Sequence, residues 1–126
     1  LLNLGHTLGH AIETAAGYGR LRHGECVVYG LLFALQLAEA RGLPQADAAA
    51  VRDLLGRLQP PALPGLDAAE LMLLMTRDKK ALESGLPWVL PCRLGRAELE
   101  VVSHSEVEER LPRFLKAPWE GANATL

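Results

Sequence analysis

The feature that most constrains the fold is a stretch of almost entirely apolar residues, from Cys26 to Leu35. It lies in a segment, Glu25 to Ala40, that contains no proline and gathers its polar residues near its two ends. A helix that is apolar on all sides has to be surrounded by other elements. The run is only about half as long as a bilayer-spanning helix needs to be, so no membrane span is expected. The segment therefore predicts a helix at the centre of a bundle.

Further elements are predicted from helical periodicity, from capping residues and from glycine and proline breaks. The four additional helices are expected to cover about residues 1–16, 47–58, 67–77 and 105–116. Two short segments with strand character, 88–90 and 98–102, predict a hairpin with residues 93–96 as its turn. Pro91 is expected to mark an edge or a bulge. The predicted fold class is mainly α, a bundle of about five helices with a small two-stranded β-hairpin.

The sequence also predicts how the chain is organised. Residues 1–117 are expected to form one helical domain, and residues 118–126 a loosely held tail. The chain starts within a helical pattern and without an initiator methionine. We therefore expect it to be part of a larger polypeptide.

Composition excludes several classes of partner. Thirteen basic and fifteen acidic residues give a net charge of −2, and aromatic residues make up only 5% of the chain. Nucleic-acid binding needs a concentrated basic surface or a stacking platform, so neither DNA nor RNA is an expected partner. The N-terminus does not resemble a signal peptide, and the two cysteines form no CxxC motif. These features favour a reducing, cytoplasmic location.

Polar side chains recur along one face of the first predicted helix. Asn3, His6, His10 and Glu13 are spaced three, four and three residues apart, which places them within roughly a quarter of the helix circumference. Two glycines lie beside the two histidines, although each glycine costs roughly 1 kcal/mol in a helix interior. We infer that something approaches the helix backbone closely here.

The histidine spacing is typical of some metal sites. His6 and His10 can reach one ion, because residues four apart lie on the same helix face, and neutral imidazole suits zinc and related metals. His23 follows the first helix and returns to the same region if the two helices pack antiparallel. Three histidines could then converge on a metal, or two could bind it while the third meets a substrate. The pair could equally be a solvated face or a hydrogen-bonded core pair.

Other candidate residues also have purely structural interpretations. Asn3 could cap a helix, and Glu25 in a first helical turn favours the helix dipole without any catalytic role. Lys79 and Lys80 could bind a phosphate, or could simply lie near a helix C-terminus, where cations are favoured. Cys26 is expected to be a small buried apolar residue.

Several short motifs together resemble the 3-dehydroquinate synthases of the sugar phosphate cyclase superfamily. They are GHTLGHAIE at residues 5–13, HGE at residues 23–25, RDKK at residues 77–80, Gly85, and the segment 88–90. The resemblance extends over essentially the whole chain but covers only the helical, C-terminal part of the two-domain family fold. The family's N-terminal α/β dinucleotide-binding domain is absent from these 126 residues.

The resemblance implies an NAD- and metal-dependent lyase of the shikimate pathway, which leads to chorismate and the aromatic amino acids. Its substrate would be 3-deoxy-D-arabino-heptulosonate 7-phosphate, and its products 3-dehydroquinate and phosphate. The implied reaction proceeds by transient oxidation, phosphate elimination, reduction and intramolecular aldol closure. Zinc, or cobalt in its place, would act as a Lewis acid and a template.

The family's functional residues match particular positions of this chain. His6 and His23 match its two histidine metal ligands, and the third ligand is a glutamate outside these residues. His10 matches a histidine that contacts substrate and assists proton transfer, and Asn3 matches a substrate-binding asparagine. Either Lys79 or Lys80 matches a lysine that grips the substrate.

The resemblance also implies partners and alternatives. The complete enzyme would be a homodimer, its NAD would bind in the N-terminal domain, and this chain alone would be inactive. One alternative is another sugar phosphate cyclase that uses a different seven-carbon sugar phosphate. A second is a non-catalytic helical interaction module with structural histidines. Such a module predicts no response to metal and no large exposed apolar face, whereas an enzyme fragment predicts such a face.

Overall fold

The computed structural model describes residues 5–17, 19–76, 85–93 and 96–121. Within these ranges it contains five helices and two strands, which confirms the predicted fold class. The helices are α1 (His6–Ala16), α2 (His23–Ala40), α3 (Gln45–Gly56), α4 (Ala68–Thr76) and α5 (His104–Lys116). The strands are β1 (Leu86–Arg93) and β2 (Arg96–Val102). None of the described helices combines the length and the apolar content that a bilayer crossing requires.

Helix α2 forms the centre of the molecule, as its apolar sequence predicts. It packs against α1, α3 and β1, while α1 also contacts α4 and α4 contacts α5. Eleven of its residues are buried, and Leu32, Phe33 and Leu37 have no exposed surface. Phe33 also contacts the rings of Trp88 and Phe114, with ring centroids 5.5 and 5.1 Å away. The hairpin and α5 are therefore held on the same central helix.

Helices α1 and α2 pack backbone to backbone through glycines. A Cβ atom at Gly9 would lie 3.2 Å from the Cys26 carbonyl oxygen, and one at Gly30 would overlap the Gly5 carbonyl oxygen. Residue numbers rise along α1 as they fall along the facing part of α2, so the two helices are antiparallel. The close approach inferred from the glycines is confirmed, and the approaching group is the α2 backbone.

Strands β1 and β2 form an antiparallel two-stranded sheet, with Leu86 opposite Val102 and Val89 opposite Leu99. Its register is interrupted between Pro91 and Arg93, which confirms the bulge or edge expected at Pro91. Both strands are longer than predicted.

Residues near the C-terminus pack on α2. The indole ring of Trp119 lies edge-on to Tyr29, with ring centroids 6.2 Å apart, and the Gln36 side-chain amide donates to the Glu120 carbonyl oxygen at 2.8 Å. The start of the predicted tail is thus in contact with the core. The tail residues 122–126 lie outside the described residues, and the domain boundary at residue 117 stays a prediction.

Several predicted helix starts were wrong by a few residues, and local contacts explain why. Helix α1 begins at His6, because Gly5 has a left-handed conformation with φ of +79°; residues 1–4, where this helix was predicted to start, lie outside the described residues. Helix α3 begins at Gln45, since the Pro44 carbonyl already accepts from the Ala48 N–H, and Asp47 is not its cap. Helix α5 is capped by Ser103 and not by Ser105.

Hydrogen bonds from backbone N–H groups to side chains mark the starts of α5, α2 and α4. The Oγ of Ser103 accepts from the Glu106 N–H at 3.2 Å. Helix α2 begins two residues before the predicted Glu25, because Glu25 reaches back from the first turn to the Arg22 N–H. Asp67 precedes α4 as expected and accepts from the Ala69 N–H at 3.3 Å.

A charged contact joins the end of α2 to the start of α5. The two terminal nitrogens of Arg41 donate to the two carboxylate oxygens of Glu106, at 2.9 and 2.7 Å. The hydrogen bond from Arg41 lowers the pKa of Glu106, and Arg110 in the next turn acts in the same direction. Bidentate pairs of this kind are stronger than single surface ion pairs.

We predict that Gly30→Ala destabilises the protein by about 2 kcal/mol or more, because the added methyl group forces α1 and α2 apart. Gly24→Ala is the matched control on the same helix, since a Cβ atom there meets no atom within 4 Å. The free energy of unfolding in urea, followed by circular dichroism, measures the difference. Equal stability of the two variants would contradict this account of the helix contact.

We predict that Glu106→Gln lowers the free energy of unfolding at neutral pH by about 1–3 kcal/mol, because the charged hydrogen bonds to Arg41 are lost. The folded-state pKa of Glu106 is lowered, so this stabilisation is present above the ordinary carboxyl pKa and is lost as the pH falls through the folded value. Wild-type stability should therefore fall more steeply in acid than that of the variant. Glu108→Gln, an exposed residue of the same helix, should follow the wild type.

Candidate functional site

Three imidazole rings meet where α1 and α2 cross. The ring centroids of His6 and His10 are 5.8 Å apart, those of His6 and His23 5.5 Å, and those of His10 and His23 5.8 Å. The chain contains four histidines, and the fourth, His104, begins α5. Three of the four thus form a nearly equilateral cluster, which we call the histidine cluster.

The helix geometry explains why these residues meet. His6 and His10 lie one turn apart on α1, so their side chains share a face. His23 is the first residue of α2, which returns antiparallel to α1. The glycine contacts between the two helices bring the backbones close enough for all three rings to meet at one surface. His10 and His23 are exposed, whereas His6 is partly buried.

A carboxylate supports the cluster from the next turn of α1. The Nδ1 atom of His23 lies 2.9 Å from Oε1 of Glu13, with 52% and 35% of the two side chains exposed. An ionised carboxylate can only accept hydrogen bonds, so the imidazole donates its Nδ1–H. This leaves Nε2 as the nitrogen through which a neutral His23 can bind a metal.

Glu25 has a structural role. Its Oε1 accepts from the backbone N–H of Arg22 at 2.7 Å, which satisfies one of the donors left open at the start of α2. This contact agrees with the structural interpretation of Glu25 as an acidic residue in the first turn of α2.

Cys26 lies next to the cluster and is fully buried. Burial raises the pKa of its thiol to about 11, and the charges of Glu13 and Glu25 act in the same direction. The expectation of a small buried apolar residue is confirmed, because the thiol stays protonated at neutral pH.

The spacing of the rings is compatible with two imidazoles that bind one divalent metal. Two imidazoles bound tetrahedrally to one zinc would have ring centroids about 5 Å apart, given zinc–nitrogen distances near 2 Å. The separation of His6 and His23 is close to this value. Within the described part of the chain, no group of three or more histidine, cysteine or acidic side chains is arranged to hold a metal ion by itself.

Three of the predicted site residues cannot be placed relative to the cluster. Asn3, Lys79 and Lys80 lie outside the described residues. Their assignments stay predictions from the sequence.

Comparison with known proteins identifies the family. The family described as 3-dehydroquinate synthase C-terminal matches residues 1–81 of this chain, nearly two thirds of its length. The chain belongs to the 3-dehydroquinate synthase family. The matched range includes the whole histidine cluster together with Asn3, Lys79 and Lys80.

Individual family members show how much of their length the chain matches. It is 41% identical over 115 residues to the 3-dehydroquinate synthase of Bordetella pertussis, a match that covers 90% of this chain and 32% of that protein. It is 47% identical over 97 residues to the enzyme of Geobacter metallireducens, covering 75% of this chain and 27% of that protein. The chain therefore spans about a third of the length of the relatives it matches.

A solved structure supports the same relationship. A crystal structure of 2-deoxy-scyllo-inosose synthase, complexed with carbaglucose-6-phosphate, NAD+ and Co2+, superimposes with a TM-score of 0.74 and 26% identity. The match covers 88% of this chain and 34% of that one. The helical fold is thus shared with a second sugar phosphate cyclase.

The sequence pattern indicates the three histidines as site residues but no role for Glu13. Its position on the polar face was visible, since it follows His10 by three residues. Its contact with His23 depends on the register between two antiparallel helices, and helical periodicity within α1 carries no information about that register.

We predict that only one of the two cysteines reacts quickly with a thiol reagent such as Ellman's at about pH 8, because the reaction requires thiolate and access. Cys92 is exposed, whereas Cys26 is buried and has a pKa of about 11. In the Cys92→Ser variant, the remaining thiol should react only after unfolding in urea. Rapid labelling of the folded variant would contradict the burial of Cys26.

The raised pKa of the Cys26 thiol also makes the stability of the fold depend on pH. The folded protein holds this proton more tightly than the unfolded chain, whose reference pKa is 9.0. The contribution of this thiol to the free energy of unfolding is therefore fully present below pH 9. It is lost as the pH rises towards 11.

Proposed function

We propose that this chain is the metal- and substrate-binding part of a 3-dehydroquinate synthase. In the proposed reaction, 3-deoxy-D-arabino-heptulosonate 7-phosphate is converted to 3-dehydroquinate and phosphate, a step of the shikimate pathway. The observation that supports this most is that three imidazole rings, with centroids 5.5–5.8 Å apart, meet in a chain of this family.

In this proposal His6 and His23 hold a zinc or cobalt ion. Their ring separation suits two ligands of one metal, and the crystallised 2-deoxy-scyllo-inosose synthase was complexed with Co2+. A catalytic zinc takes three protein ligands and keeps an open position, so a third ligand, a glutamate outside these residues, completes the set. When bound, the metal supplies Lewis acidity at a substrate hydroxyl and carbonyl.

His10 is proposed to contact the substrate and to move a proton. Its ring lies 5.8 Å from each of the other two, and its side chain is exposed at the helix surface, where a ligand can reach it. A neutral imidazole has one nitrogen that accepts a proton and one that donates, which suits transfer near neutral pH.

The remaining assigned residues bind the substrate. The Asn3 amide is proposed to hydrogen-bond substrate hydroxyls, and Lys79 or Lys80 to stabilise negative charge on the substrate. All three lie within the range that matches the family.

The complete enzyme is proposed to need more than these residues. NAD is assigned to a dinucleotide-binding domain outside this chain, which agrees with a chain that spans 32% of a relative's length. The neighbour crystallised with NAD+ supports this cofactor for the superfamily. We also propose a cytoplasmic homodimer for the complete protein. Leu54, Leu58, Leu73, Leu99 and Val101 each expose more than half of their surface, which supports further packing partners.

The related cyclase activity is the alternative within the same superfamily. The 3-dehydroquinate synthases of Bordetella pertussis and Geobacter metallireducens are 41% and 47% identical to this chain, against 26% for 2-deoxy-scyllo-inosose synthase. The higher identity favours 3-deoxy-D-arabino-heptulosonate 7-phosphate, the substrate of the proposed reaction.

We predict that the natural polypeptide carrying these residues releases phosphate from 3-deoxy-D-arabino-heptulosonate 7-phosphate when NAD and Co2+ are present. The 126-residue chain alone should release none, because the proposal assigns the third metal ligand and the NAD site to residues outside it. Phosphate release and 3-dehydroquinate formation are measured together. Turnover of only another sugar phosphate would replace this substrate assignment, and full activity of the isolated chain would refute the division of roles.

We predict that His6→Ala and His23→Ala each abolish Co2+ binding by that polypeptide, because each removes a direct ligand. His10→Ala is the matched variant in the same cluster, and it should keep metal binding while losing turnover. Co2+ absorption spectra and calorimetric titration report binding, and circular dichroism checks folding. Retention of Co2+ by either ligand variant would exclude it as a ligand.

A further inference from the structure

Glu13 is the acidic side chain that joins the two helices at the histidine cluster. It extends from α1, one turn beyond His10, and its carboxylate meets Nδ1 of His23 at the first residue of α2. The contact joins residues ten apart in the sequence, and it ties the ring of His23 to the helix that carries the other two histidines.

This contact selects one tautomer of His23. A neutral imidazole carries one N–H and one bare nitrogen, and the hydrogen bond made by one determines which nitrogen binds a metal. The carboxylate can only accept, so it fixes the proton on Nδ1 and leaves the lone pair on Nε2. It also restrains rotation of the ring, and the negative charge makes the imidazole a better electron-pair donor.

Glu25 is the neighbouring carboxylate that could have taken this role, yet it does not. It is two residues from His23 in sequence, but its Oε1 is hydrogen-bonded to the Arg22 N–H. Both carboxylates are near enough to the cluster for their charges to act on the same Cys26 thiol. Among the described residues, Glu13 and Glu25 are thus the carboxylates whose charges act on Cys26, and Glu13 is the one whose hydrogen bond to a cluster imidazole is seen.

We propose that Glu13 is a positioning residue, which holds His23 in the Nδ1–H tautomer and the ring orientation that allow Nε2 to bind the metal. The inference rests on the proposed function, in which His6 and His23 are ligands. It adds to that function a residue that touches neither the metal nor the substrate.

The test compares three substitutions in the natural polypeptide. Glu13→Ala removes both the charge and the acceptor, Glu13→Gln keeps an acceptor oxygen but removes the charge, and Glu25→Gln removes a charge of similar proximity while keeping a side chain that can cap α2. Two properties are measured at about pH 8, above the ordinary imidazole pKa. They are the tautomer of His23 in the metal-free protein, from long-range proton–nitrogen NMR, and the affinity for Co2+, from calorimetry.

For Glu13→Ala we expect His23 to shift from the Nδ1–H form to a mixture of tautomers and the Co2+ affinity to fall about ten- to hundred-fold. Glu13→Gln should recover much of the tautomer preference and part of the affinity. Glu25→Gln should leave both properties as in the wild type. A merely structural role of Glu13 would lower stability without altering the tautomer.

The outcomes separate the inference from the function on which it rests. If the wild-type polypeptide binds no Co2+, the proposed metal function fails. If the wild type binds Co2+ and Glu13→Ala changes neither the tautomer nor the affinity, the function stands and the positioning role is refuted. An equal loss of affinity in Glu25→Gln would also refute it, because general electrostatic attraction would then explain the effect.

Discussion

The close contact between the backbones of α1 and α2 is the constraint on which the site depends. Gly9 and Gly30 allow this contact, since side chains at either position would meet backbone atoms of the other helix. Without it, His23 could not reach the face of α1 that carries His6 and His10. Glycines that weaken an isolated helix are thus used here to bring two helices together, and tertiary packing compensates for their low helix propensity.

The architecture could be predicted from sequence because its main signals are local. The apolar run from Cys26 identified the buried helix, and Pro91 marked the irregular part of the hairpin. Helix starts were less predictable. Overlapping Ser-x-x-Glu patterns begin at Ser103 and Ser105, and sequence alone could not decide which serine caps α5. Gly5 likewise made α1 begin later than periodicity indicated, because its backbone is left-handed.

The candidate site was predictable to a similar degree. The i, i+4 spacing gave His6 and His10, and the short connection to α2 made convergence with His23 a reasonable expectation. The role of Glu13 was not visible, because it depends on the register of one helix against another. Roles for Asn3 and the two lysines came from family resemblance, which supplies chemistry that neither spacing nor composition contains.

The three imidazoles belong to a segment of only eighteen residues, from His6 to His23. Bringing the ends of so short a segment together costs little chain entropy, because loop-closure entropy grows with the number of residues enclosed. The contacts that arrange the three rings therefore lie within a single pair of helices, α1 and α2. Substitutions in the hairpin or in α5 should therefore change the stability of the whole fold more than the arrangement of the three rings in the folded protein.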